Sequence, residues 1–187
     1  MRSLRVLAAA LLMAGLTGCG YNTIQTKDEA VNQAASQIKV QLQRRADLIP
    51  NLVETVKGFA QQESTVLVGV TEARARLNGA LQGGNLGEMA TANQALTGAL
   101  GRLIAVAEAY PELKSNTNFL QLQDQLEGTE NRISVARQDY NTAVEDFNGF
   151  IRRFPYNLTA KAFGHGTPRE YFELTEAAAG EAPKVKF

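Results

Sequence analysis

Apolar residues recur at three- and four-residue intervals through most of this chain, the spacing that lines up one side of an α-helix. One stripe runs Val31, Ala34, Ala35, Ile38, Leu42, Arg45, Ile49. A second runs Leu52, Val56, Phe59, Glu63, Val66, Val70, Ala73, Leu77, a third from Leu86 to Tyr110, and the longest from Phe119 to Phe154. Alternating steps of four and three belong to helices packed at shallow angles. No segment alternates with period two, so no sheet is expected. Gly79 to Gly87 reads as a turn, and Pro111 and Pro155 as helix stops. Stripes of this kind cannot be buried alone. The pattern therefore predicts an all-α fold: an elongated antiparallel four-helix bundle over residues 27–154, followed by a non-helical tail, 155–187, packed on it.

The stretch QLQRRADLIPNLVETVK, Gln41 to Lys57, interrupts this pattern with two arginines, an aspartate and Pro50. A proline inside a helix costs about 3 kcal/mol but is tolerated in the first turn. The expected solution is a break, with Asp47 capping a new helix near Leu48 and Arg44 and Arg45 closing the previous one at its negative end. The alternative is a single kinked helix over about 27–79. At ~1.5 Å per residue it would reach about 80 Å against about 60 Å for the fourth segment, a mismatch that favours the break.

The first residues, MRSLRVLAAALLMAGLTGCG, follow a different logic. Arg2 and Arg5 precede the apolar run Val6 to Leu16. That run makes about 17 Å of helix, short of a ~30 Å hydrocarbon core, so it reads as an export signal over residues 1–18. Leu16-Thr17-Gly18-Cys19 resembles a bacterial lipobox, which implies cleavage before Cys19 and a lipid on its sulfur. Residues 19–26 would be a lipidated tether, of which Gly20 to about Thr26 span at most about 25 Å. The alternatives are an ordinary signal peptide or a short membrane anchor with an incidental cysteine.

Composition narrows the chemistry. Lysine plus arginine and aspartate plus glutamate number 19 each, and without Arg2 and Arg5 the mature chain carries −2. A nucleic-acid partner would need a basic surplus. One cysteine and one histidine make neither an internal disulfide nor a metal cluster. No metal or cofactor is expected, and no catalytic residue. Glu63 and Asn93 fall on apolar stripes, where a lone polar group more often sets helix register than performs chemistry. His165 lies in a glycine-rich loop without a nucleophile motif. Arg44, Arg45 and Asp47 form the sharpest constellation. They read either as a patch for a partner or anionic head groups, or as a helix junction with local ion pairs to Glu127 or Glu130. Gly98 and Gly101 are suited to close helix approach. The aromatics Phe154, Tyr156, Phe163, Tyr171 and Phe172 read as a tail covering the bundle end or, if exposed, as a binding patch.

Residues Ser36–Glu63 (SQIKVQLQRRADLIPNLVETVKGFAQQE) and Asn118–Ala162 resemble the signature regions of the bacterial LemA family, as do Tyr21-Asn22, Arg169 to Glu173 and Ala182 to Val185. Ala35 and Gln62 stand where that family often has tryptophan and histidine. Gly164 to Thr167 replaces a shorter, more apolar link, and a lipobox stands in place of the usual N-terminal membrane helix. The resemblance implies a membrane-attached helical bundle without assigned catalytic residues.

Together these readings lead to one expectation: a membrane-anchored lipoprotein in the cell envelope, on the periplasmic side, acting as a non-catalytic scaffold or adaptor for an envelope protein partner. Gly20, which is not acidic, favours the outer membrane over the inner. The alternative is a small-molecule or lipid-binding lipoprotein. It requires a cavity above roughly 300 Å³ with convergent polar groups.

Overall fold

The computed structural model describes the backbone of residues 2–172 and the side chains from Gly20 to Phe172. Every described element is helical: α1 (Arg2–Lys57), α2 (Ser64–Gly83), α3 (Leu86–Glu108), α4 (Pro111–Lys114), α5 (Thr117–Ile151) and α6 (Tyr156–Ala162). An all-α helical bundle is thus what the apolar stripes form. Among the described residues no helix is long and apolar enough to cross a membrane.

The chain divides into two compact units, and the two long helices contribute to both. Among the described residues, unit 1 comprises 2–36 and 137–171, and unit 2 comprises 37–136 and Phe172.

Unit 2 holds most of the striped core: Ile38, Leu42, Ile49, Leu52 and Val56 from α1, Val70 and Leu77 from α2, Met89, Leu96 and Leu103 from α3, and Phe119, Leu126 and Ile133 from α5 are all buried. The α2–α3 connection is far tighter than the glycine-rich stretch predicts. Gly79 and Gly83 remain helical, and only Gly84 and Asn85 turn the chain. Gly84 takes a left-handed conformation (φ 76°) and donates its N–H to Ala80 O at 3.1 Å. The Asn85 side chain then accepts from Gly87 N (2.8 Å) and Glu88 N (3.1 Å), capping α3. Two residues suffice to fold α3 back along α2, and the pair packs extensively. Asn116 caps α5 in the same way, accepting from the N–H groups of Asn118 and Phe119.

The expected break at Pro50 does not occur. α1 continues through Pro50 to Lys57, so Arg44 and Arg45 sit in mid-helix, and Asp47 caps nothing. Asp47 instead accepts a hydrogen bond from Gln43 Nε2 at 2.8 Å, one turn earlier. Proline at position 50 leaves the carbonyl of Ala46 without its i+4 donor. Arg74, reaching across from α2, donates Nε to Ala46 O at 2.9 Å and replaces that donor. The real interruption lies later, at 58–63, where Gly58 N, Ala60 N and Glu63 N make turn bonds to Glu54, Val56 and Ala60 carbonyls. Phe59 therefore leaves its stripe and is 38% exposed, while Ala60 takes the inward position.

Unit 1 departs from expectation at both of its ends. Residues 19–26 are not an extended tether: α1 passes through them as helix and buries Ile24. Gly20 lies against the ring of Tyr156, and a Cβ added there would meet Tyr156 Cδ1 at 2.6 Å. The chain after Pro155 is not wholly irregular either, because α6 forms over Tyr156–Ala162. Beyond α6 the tail is held by side-chain bonds. Buried Asn148 brackets the backbone of Arg169, giving Nδ2 to its O and accepting its N–H at Oδ1, both at 2.8 Å. The Arg169 guanidinium pairs with Asp28 at 2.8 Å, and the Tyr140 hydroxyl donates to Glu170 O at 2.9 Å. Burial raises the pKa of the Tyr140 hydroxyl above its ordinary value, with Arg169 opposing and Glu170 reinforcing the shift.

Candidate functional site

The charge cluster of α1 is divided by helix geometry. Successive residues differ by about 100° around an α-helix, so Arg44, Arg45 and Asp47 cannot share one face. Arg44 and Asp47 are exposed, whereas Arg45 follows the stripe Ile38, Leu42, Ile49 into the interior and is 4% exposed.

Inside unit 2 the Arg45 guanidinium meets two acceptors from different helices. Nη1 donates to Asn93 Oδ1 of α3 at 2.6 Å and lies 2.5 Å from Glu130 Oε2 of α5. The polar residue on the third stripe thus answers the charged residue on the first. Glu130 is half-exposed and connects the cluster to solvent. Burial lowers the Arg45 pKa, and the Glu130 charge opposes that fall. The arrangement pairs the Nη1 end of a buried cation, leaves its Nε without a hydrogen-bond partner, and ties three helices together. It gives neither a free base nor a nucleophile.

Beside it opens a cavity of about 330 Å³, lined mainly by apolar side chains, among them Leu52, Leu100, Ile104 and Phe119, with Arg45 and Glu130 at one side. Gly101 also lines it, and neither Gly98 nor Gly101 has a neighbour within 4 Å of where a Cβ would lie. These glycines open space on α3 and do not sit against another helix.

The remaining candidates fall elsewhere. Glu63 stands just before α2 and accepts from the Tyr110 hydroxyl at 3.3 Å. Burial raises the Tyr110 pKa, and the charge and hydrogen bond of Glu63 add to the rise. In unit 1, His165 Nε2 lies 2.9 Å from Gln25 Nε2, with its ring edge-on to Phe147. These two contacts hold the imidazole against α1 and α5 within unit 1. The Cys19 side chain lies outside the described residues. Among those described, no three His, Cys, Asp or Glu side chains gather as metal ligands do.

Sequence reading placed Arg45 and Asn93 on inward stripes and proposed Glu130 as a partner, but it did not join the three. The signal was available: two polar residues in otherwise apolar stripes on different helices must satisfy each other or remain unpaired. Arg74 was missed, because nothing in its own helix marks it as the donor for a carbonyl on another.

Fold and site define a class: an α-helical bundle protein in which a buried arginine joins three helices in a polar clasp. The chain belongs to the LemA family, which it matches over residues 34–187. It is 31% identical over 188 residues to the magnetosome proteins MamQ 1 and MamQ 2 of Paramagnetospirillum magneticum, an alignment covering 88% of this chain and 68% of each relative. It is also 28% identical, over the same shares, to magnetosome protein MamQ of Magnetospirillum gryphiswaldense. To protein LemA of Metamycoplasma hominis it is 23% identical over 141 residues, 75% of this chain and 63% of that protein.

Proposed function

We propose that this LemA-family chain is a membrane-anchored, non-catalytic scaffold or adaptor that presents helix faces to another envelope protein, on the periplasmic side. One observation carries the reading: α1 is unbroken from Arg2 to Lys57, so the apolar run Val6 to Leu16 continues as one helix into the bundle that would do the presenting. Exposed Arg44, which makes no ion pair among the described residues, then belongs to the displayed surface of unit 2.

Anchoring is tested by replacing Cys19 with Ser and following the product through membrane fractionation. Loss of tight partitioning supports a lipid on the sulfur. Unchanged partitioning shows that the apolar run holds the protein without one. Presentation is tested by a photo-crosslinker at position 44 in cells. A defined product supports an adaptor, whereas a smear of abundant envelope proteins counts against it.

The cavity beside Arg45 favours a second reading, a binder of small apolar molecules. Its 330 Å³ falls at the lower end of ligand-site volumes, about 300–1,000 Å³. Saturable binding of a medium-chain alcohol, abolished by Gly101→Leu, would support it. Absence of saturation would remove it.

A further inference from the structure

Three aromatic or aliphatic side chains lie in the open at one corner of unit 1. Phe154, between α5 and α6, is 79% exposed, Leu158 on α6 is 59%, and Phe163 at its end is 55%. Large apolar groups gathered in water mark a surface that something covers. The corner is also basic. Between Phe150 and Pro168 the sequence has no aspartate or glutamate, while Arg152, Arg153 and Lys161 are exposed and make no ion pair among the described residues.

Its position says what covers it. The Tyr156 ring rests on Gly20, and the Phe163 ring lies 4.7 Å from that of Tyr21. Gly20 and Tyr21 belong to α1 and follow the apolar run Val6 to Leu16 at once. Four residues of helix separate Leu16 from Gly20, about 6 Å along the axis. Any bilayer that receives the run, or a lipid on Cys19, lies within a side chain's reach of α6.

We propose that the α5–α6 corner is a membrane-contacting surface: Phe154, Leu158 and Phe163 enter the interfacial region while Arg152, Arg153 and Lys161 meet anionic lipid head groups. Aromatic side chains favour that depth, and clustered cations near an anionic leaflet strengthen attachment. The inference rests on the anchoring reading above, but it concerns a different segment of the chain.

The protein contains no tryptophan, so Phe154→Trp creates a single reporter at an exposed position. The full-length variant is reconstituted into phosphatidylcholine vesicles with and without phosphatidylglycerol, using lipids brominated along the acyl chain as quenchers. Flotation is measured on the same samples. Contact predicts blue-shifted emission, quenching by brominated lipid, and stronger quenching when phosphatidylglycerol is present. Adding Arg152→Glu and Arg153→Glu should cut that anionic-lipid gain by more than about half. Leu158→Trp should report the same contact independently. If the protein floats with vesicles but both tryptophans emit as in water and are quenched only by aqueous iodide, the corner is not a lipid contact and the anchoring reading survives. The same result in vesicles, with protection from iodide in native envelopes, assigns the corner to a protein and overturns the inference. Failure to float overturns both.

Discussion

Arg45 carries a charge into a place that apolar residues otherwise fill, and its neighbours decide whether the cost is tolerable. Asn93 Oδ1 accepts from its Nη1 and Glu130 pairs with the same nitrogen, while its buried Nε has no hydrogen-bond partner. Removing one partner is costlier than removing the whole cluster, because a lone buried cation keeps its desolvation penalty. Asn93→Ala is expected to lower unfolding stability by about 1–3 kcal/mol in urea titrations. The triple variant Arg45→Met, Asn93→Leu, Glu130→Leu is expected to lose less than that, or to gain. A triple variant clearly less stable than Asn93→Ala would show that the cluster stabilises the fold beyond satisfying its own groups. The positions of Arg45 and Asn93 were legible from the stripes they interrupt. Their contact was not, because single-helix periodicity gives facing and says nothing about height along the neighbouring helix.

At the scale of elements, Pro50 shows why a local rule failed. Its helix-breaking power comes from one missing N–H and one steric clash, and the first is repaired by a residue on α2. That repair is non-local, so no reading confined to Gln41–Lys57 could find it. Arg74→Met should destabilise unit 2 by about 1–2 kcal/mol by orphaning the Ala46 carbonyl. Pro50→Ala restores the backbone donor, and in that background Arg74→Met should cost about 1 kcal/mol less. Additive effects in a double-mutant cycle would contradict the compensation. The long helices α3 and α5 were legible to within a few residues, since each carries many turns of pattern and a proline nearby. α6 was not: its 7 residues hold too few repeats for periodicity to register. The turn was overestimated because glycine marks flexibility but does not distinguish Gly84, which needs a left-handed backbone, from Gly79 and Gly83, which remain helical.

For the molecule as a whole, each unit is closed by residues far apart in sequence. In unit 1 that closure depends on Asn148, whose amide imitates a peptide partner for the backbone of Arg169. Asn148→Ala removes two part-buried hydrogen bonds and should release the segment after α6 while leaving the helices folded. Trypsin should then cut after Arg169 several-fold faster than in the unaltered protein, with little change in helical circular dichroism. Equal cleavage rates would mean that the Asp28 pair and the Tyr140 hydroxyl hold the segment unaided.

A flexible leash between anchor and body would let the protein swivel and sample every heading above a bilayer. Within unit 1, α1 is continuous helix from residue 2 to residue 36, with no such joint. Turning its first turns about the helix axis therefore turns the rest of that segment with them. In a membrane-held chain that keeps its apolar start, whatever grips that start also chooses which side of unit 1 looks down, as a key sets the heading of what it turns.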